Sequence, residues 1–175
     1  MLVDLNEVLK NDGKTMHIDI VPEIEVFISK MGEFPIVSKT PVSLHIQNKG
    51  NKELHIEGDT VVTLHVPCDR CLEEVPISLQ LHIDKDIDMN QSEEERAKAL
   101  DELFYIEGYN LDVDKLVCSE ILVSWPSKVV CKEDCKGICP TCGTNLNLET
   151  CDCEPTDLDP RMAKIQEIFS KFKEV

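Results

Sequence analysis

Between Val42 and Ile83 apolar and polar residues alternate with a period of two: Val42, Leu44, Ile46; Leu54, Ile56; Val62, Leu64, Val66; then Val75, Ile77, Leu79, Leu81, Ile83. Neighbouring side chains of a strand point to opposite faces, so the pattern predicts successive antiparallel strands with one buried face. Asn48-Lys49-Gly50-Asn51 and Gly58-Asp59 are expected as hairpin turns between them. Upstream, HIDIVPEIEVFI alternates on both sides of Pro22, which has no N–H to donate and therefore predicts an interrupted or edge strand. Leu2, Leu5, Val8 and Leu9 fall at helical spacing before Asn11-Asp12-Gly13, predicting a short amphipathic helix over 2–9.

The second half reads differently. Asp84 to Glu102 is acidic and poor in apolar residues, and Ser92 with Glu95 forms a capping-box pattern for a short exposed helix. Phe104 to Tyr109 (FYIEGY) reads as a strand. Asn110 or Asp112 is placed to cap a helix carrying Val113, Leu116, Val117, Ile121 and Leu122 that Trp125-Pro126 ends. Near the C-terminus, Asp159-Pro160 reads as an N-cap and first-turn pair before the apolar stripe Met162, Ile165, Ile168, Phe169 and Phe172. The predicted class is α+β: an antiparallel β-rich body, an open barrel or sandwich-like, with flanking helices and a C-terminal zinc-ribbon-like subdomain. The expected division is 1–125 for the body, with its N-terminal helix, acidic connector and central helix, and 126–175 for a cysteine-rich tail with its terminal helix.

Charge narrows the partners. The chain has 18 Lys and Arg against 34 Asp and Glu, a net −16, and a four-thiolate zinc site adds about −2 more. Such a field repels phosphate, and only Arg70, Arg96 and Arg161 are available as guanidinium readers. A basic protein partner is electrostatically easier than bare nucleic acid. The opening MLVDLNEVLKNDGK has neither a basic n-region nor a long apolar run, and no stretch approaches a membrane span, so a soluble cytoplasmic protein is expected.

Cysteine spacing carries the chemistry. Cys139 and Cys142 sit in a CPTCG turn, where two intervening residues and a following glycine let both sulfurs face one centre. Cys151 and Cys153 return two more after a short connection, and four thiolates at this spacing suit a closed tetrahedral zinc site. A second CxxC, Cys68-Asp69-Arg70-Cys71, ends a predicted strand. It reads as half of a metal site, because nothing there resembles the strand-to-helix entry of a redox dithiol. Cys131 and Cys135 are left over and complete it, giving eight ligands and two zinc ions. The alternatives are a single tail zinc with Cys68 and Cys71 free, or Cys131 or Cys135 pairing with the ribbon knuckles. Cys118 lies inside a predicted helix without a partner at ligand spacing and reads as a core thiol. His45, His55, His65 and His82 fall on the polar side of the strand alternation and read as solvent-facing.

Taken together, CDRC after a strand, CKEDCKGICPTCGTNLNLETCDC and DPRMAKIQEIF resemble the YceD family, the large ribosomal RNA subunit accumulation proteins, over most of the chain including the opening LVDLNEVLK. The resemblance implies a bacterial cytoplasmic factor needed for normal accumulation of large-subunit (23S) ribosomal RNA. It implies no catalytic residue; what carries over is the strand-end pair and the six tail cysteines.

Three function classes follow. The leading one is a non-enzymatic, monomeric ribosome-biogenesis factor whose partner is the large ribosomal subunit precursor, through a ribosomal protein or 23S rRNA, with contacts expected from Asp69, Arg70, Lys132, Lys136 and Arg161. The second is a redox-regulated zinc switch or chaperone, since clustered thiolates release metal when oxidised. A zinc hydrolase ranks last. His55-Ile56-Glu57 with Pro67-Cys68 and Cys71 only superficially matches the deaminase signature, because the histidine and glutamate sit in an alternating strand and no helix pattern follows Cys71. No HExxH, phosphate loop or GxSxG is present.

Overall fold

The computed structural model describes residues 1–90 and 104–153 of the chain. Among these it is β-rich, with antiparallel sheets that do not close into a barrel. The chain divides into two compact units, Met1–Val66 with Val75–Ser127, and Pro67–Glu74 with the chain from Lys128 onward.

In the first unit the main sheet comprises β2 (Thr15–Ile20), β3 (Val26–Ser29), β4 (Gly32–Lys39), β5 (Val42–Gly50), β6 (Glu53–Pro67) and β7 (Glu74–Asp88). The last two strands run past the unit's boundary by a residue each. Pairing along β6 runs from Ile36↔Leu64 and Lys39↔Val62 to Ser43↔Asp59 and Gly50↔Glu53, so β4 and β5 lie in line, broken at Thr40-Pro41. The Thr40 hydroxyl accepts from Val61 N (2.9 Å) and the Thr60 hydroxyl donates to Thr40 O (3.0 Å), bridging the break. β2 pairs with β5 and β3 with β4, again in line, and Pro22 falls between them as the sequence predicts. The buried face carries Val42, Leu44, Ile46, Leu54, Ile56, Val62, Leu64, Leu81 and Ile83.

Gly58-Asp59 is not a turn. β6 is continuous through it, and the even positions from Leu54 to Val66, Gly58 and Thr60 included, stay on the buried face. A Cβ on Gly58 would lie 2.6 Å from Ser43 O and 2.8 Å from Leu44 Cδ2, so this glycine serves a close approach of β5 to β6. Gly58→Ala is expected to destabilise the first unit by about 1–3 kcal/mol, because backbone must part to admit the methyl. A wild-type urea midpoint in that variant would refute the close-approach role. The other hairpin turns at Asn51-Lys52, both with positive φ (51° and 58°), two residues later than the centre of the expected turn. Asn48 remains in β5, fully buried. Its amide donates to Val8 O (3.0 Å) and Asn11 O (3.2 Å), and its side-chain oxygen accepts from Gly50 N (2.9 Å).

The helix expected over 2–9 is only partly there. Leu2–Asp4 is a strand, β1, and the helix α1 spans Asn6–Leu9. β1 pairs with β9 (Asn110–Asp112), which pairs with β8 (Ile106–Glu107), so backbone pairing to a distant segment overrides a helical pattern too short to stand alone. The strand expected over 104–109 is reduced to β8, since Gly108 (φ 61°) turns the chain into β9. Asp112 caps α2 (Val113–Val123), accepting from Asp114 N (3.1 Å) and Lys115 N (3.4 Å). Trp125, just past α2, packs its ring 5.6 Å from Phe27 and 4.8 Å from Phe34. The acidic capping-box helix and the terminal helix with Arg161 lie outside the described residues.

Candidate metal centre

The second unit holds both cysteine groups. Cys68, Cys71, Cys131 and Cys135 form one, and Cys139, Cys142, Cys151 and Cys153 the other, with the four sulfurs of each within 4.8 Å of one another. All nine cysteines are free thiols. In the first group Cys68 Sγ lies 3.9 Å from Cys135 Sγ, and Cys71 Sγ 3.5 Å from Cys131 Sγ. A tetrahedral ion with sulfur ligands at about 2.3 Å requires sulfurs about 3.8 Å apart, so this donor set fits one.

The first group is built by a turn stitched to a later loop. Leu72 adopts positive φ (64°) and donates its N–H to Cys68 O (3.0 Å), while Cys68 N donates to Glu73 O (2.8 Å), closing the CxxC turn. Asp69 N donates to Val129 O (2.8 Å), and Val129 N returns a bond to Asp69 Oδ2 (2.7 Å). Arg70 Nη1 donates to Glu133 O (3.2 Å) and Cys135 O (2.9 Å), and Arg70 O accepts from Ile138 N (3.0 Å). Asp69 and Arg70, singled out from the sequence as partner contacts, are engaged within the knuckle while remaining exposed, as Lys132 and Lys136 are. Gly137 (φ 80°) passes so close that a Cβ would lie 3.0 Å from Arg70 O.

The second group is local. Gly143 (φ 76°) donates to Cys139 O (2.8 Å), Cys139 N donates to Thr144 O (2.8 Å), and Ile138 bridges to Asn145. This is the knuckle that CPTCG predicts.

Electrostatics divides the thiols of each group. Burial opposes ionisation of Cys68, but N–H donors from Arg70, Cys71 and Cys131 outweigh it and hold the thiol down to about 6. At Cys71 the Glu73 N–H favours the thiolate, yet burial and the three neighbouring thiols push it up to about 12. Hydrogen bonds from the Thr144 hydroxyl and N–H lower Cys142 to about 6, while its bond with Cys142, burial and Cys139 push Cys153 up to about 12. Four negative sulfurs this close repel one another, and a divalent cation is what allows all four to ionise.

Sequence reasoning missed Asn147. Its amide donates to Cys135 Sγ (3.3 Å) and its oxygen accepts from Lys136 N (2.9 Å), and nothing in the ligand spacing marks it. Asn147→Ala is expected to weaken metal binding at the first group about 10- to 100-fold, as losses of ligand-orienting partners do. Competition with a chromogenic chelator measures this, and unchanged retention at both groups would show the amide to be dispensable. Cys118 lies in α2, half-buried and in neither group, and burial raises its pKa, in keeping with a core thiol. His55 and Glu57 do not join the thiols: His55 bonds Asp86 and Glu57, each at 2.8 Å.

Fold and site together define a β-rich protein with two four-cysteine groups able to hold metal ions. Its sequence places it more narrowly. The chain belongs to the family described as Large ribosomal RNA subunit accumulation protein YceD, which matches residues 56–169 and so takes in all eight clustered cysteines. It is 28% identical over 102 residues to uncharacterized proteins of Mycobacterium bovis and Mycobacterium tuberculosis, covering 58% of this chain and 49% of theirs. An uncharacterized protein of Mycobacterium leprae is 24% identical over 132 residues, covering 74% of this chain and 60% of that one. The chain thus spans 49% of the length of the first two relatives. No solved structure matches. No helix among the described residues is long and apolar enough to cross a membrane.

Proposed function

We propose that the protein is a non-enzymatic cytoplasmic ribosome-biogenesis factor that supports accumulation of large-subunit (23S) ribosomal RNA, with zinc in both cysteine groups. Membership of a family described by that role, through a match that contains every clustered cysteine, carries the reading. Cys68, Cys71, Cys131 and Cys135 hold one ion; Cys139, Cys142, Cys151 and Cys153 hold the other. Four sulfur ligands leave no position for water, so bound zinc supplies shape rather than a nucleophile. Function then resides in the surface. A net charge of −16 favours a basic ribosomal protein over bare rRNA as the partner in the large-subunit precursor, bound by a monomer.

Depletion in a bacterium that encodes the protein tests this, together with crosslinking of the tagged full chain. A fall in 23S relative to 16S rRNA and crosslinks to a large-subunit ribosomal protein are expected. An unchanged rRNA ratio with no crosslink to large-subunit components would overturn it.

A further inference from the structure

The two cysteine groups are chemically alike and physically different. In the first, Cys68, Cys71 and Cys135 are 0%, 5% and 4% exposed, and Cys131 is half-buried. Its sulfurs are covered by donors: Arg70 N (3.5 Å) and Cys131 N (3.3 Å) on Cys68, and the Asn147 amide (3.3 Å) on Cys135. Its ligands also come from two segments, with Cys71 and Cys131 60 residues apart. In the second group only Cys139 is buried; Cys151 and Cys153 are half-buried and Cys142 is exposed. All four ligands fall between 139 and 153, so opening that group releases one short stretch of chain.

We propose that the second group is an oxidation site from which a hydroperoxide expels the metal, with Cys142 the sulfur attacked first, while the first group keeps its ion. The inference rests on zinc occupying both groups, as proposed above. Zinc-bound thiolates remain nucleophilic, and a peroxide must approach the sulfur in line with its O–O bond, which the exposed Cys142 permits even with the Thr144 hydroxyl at 3.2 Å and which the buried Cys68, Cys71 and Cys135 do not. The Cys142 thiolate takes one peroxide oxygen, becoming a sulfenic acid as the O–O bond breaks, and the other oxygen leaves as alkoxide or hydroxide and takes a proton from water. A second thiolate of the group then attacks the sulfenic sulfur, an S–S bond forms and hydroxide leaves, taking a proton in turn. Two electrons have passed from the sulfur pair to the peroxide. The two remaining thiolates cannot hold zinc in a closed site, so the ion departs and protons replace it.

The test uses the full chain carrying two zinc equivalents, treated with hydrogen peroxide while a chromogenic chelator reports free zinc. Two-step alkylation and mass spectrometry then identify the oxidised residues. One equivalent is expected to leave roughly tenfold faster than the other, or more, with disulfide confined to 139–153, Cys68, Cys71, Cys131 and Cys135 still reduced, and the β-sheet circular dichroism signal intact. Release of both ions at one rate, or earlier oxidation of the first group, would overturn the inference while leaving the zinc assignment standing. Protein purified with no zinc and unable to take it up would overturn both.

Discussion

Replacing Cys68 with serine is expected to remove one equivalent of bound metal and to unfold the second unit while the first keeps its sheets. Cys68 is fully buried, accepts from backbone N–H groups that include those of Arg70 and Cys131, and faces Cys135 across the site. A serine oxygen is a poorer ligand for zinc, and once the ion is lost the remaining thiols take up protons and no longer tie the CxxC turn to the loop that carries Cys131 and Cys135. The expected cost exceeds about 4 kcal/mol, the range reached when a structural metal is lost. Metal analysis with limited proteolysis reads this directly: new cleavage within 128–153 beside an uncut first unit. Cys118→Ala, outside both groups, should retain full metal and cost less than about 2 kcal/mol. Acidification should mimic the serine variant, because the ligands bind as thiolates and affinity falls as protons compete for them, so metal leaves as pH drops and returns as it rises. Equal metal content in Cys68→Ser and wild type would remove this group from the list of metal sites.

The second large effect lies in the first unit and involves no metal. Lys85, on the inward side of β7, brings its ammonium 2.9 Å from Glu120 Oε1 of α2, with the two side chains 28% and 5% exposed. The same oxygen has no well-directed hydrogen bond, so the contact is an ion pair by distance alone. Lys85→Met leaves a carboxylate in the core without its partner, for which buried pairs lose about 3–5 kcal/mol; the water that reaches Lys85 places the expected loss at the lower end, about 3 kcal/mol. Lys85→Met combined with Glu120→Leu should recover most of it, because an apolar pair of similar volume needs no compensation for desolvated charge. Trp125 is the chain's single tryptophan and packs on Phe27 and Phe34, so its fluorescence follows unfolding of this unit alone. If Lys85→Met proved as stable in urea as wild type, the pair would be a bystander.

Legibility varied with the range of the interaction. The break at Pro22, the helix ended by Trp125-Pro126 and the CPTCG knuckle were all readable, since each depends on a missing N–H, a capping side chain or a turn within a few residues. Gly58-Asp59 misled because the pair is common in hairpins, although Leu54, Ile56, Thr60 and Val62 keep one phase across it and so argue for an unbroken strand. Leu2–Asp4 misled for the opposite reason: its partner, Asn110–Asp112, is over a hundred residues away and no local pattern announces it. At the site, ligand spacing identified all eight cysteines that the structure brings together. The roles of Asn147, Asp69 and Arg70 were hidden, because a hydrogen bond to a sulfur or to a distant carbonyl leaves no periodic trace.

By itself, the sequence determined which residues are apolar on alternate positions, where the chain must turn at a CxxC, how acidic the protein is and which sulfurs are available. These are properties of composition and of neighbours close along the chain. Tertiary structure selected, among the pairings the spacing left open, the one in which Cys68 and Cys71 share a site with Cys131 and Cys135, and it alone decided that β6 is one strand with β4 and β5 end to end along it and that one sulfur group is more deeply buried than the other. Each of those depends on segments far apart in the chain meeting at short range, where burial and shared hydrogen bonds select one arrangement among several that the same spacing allows.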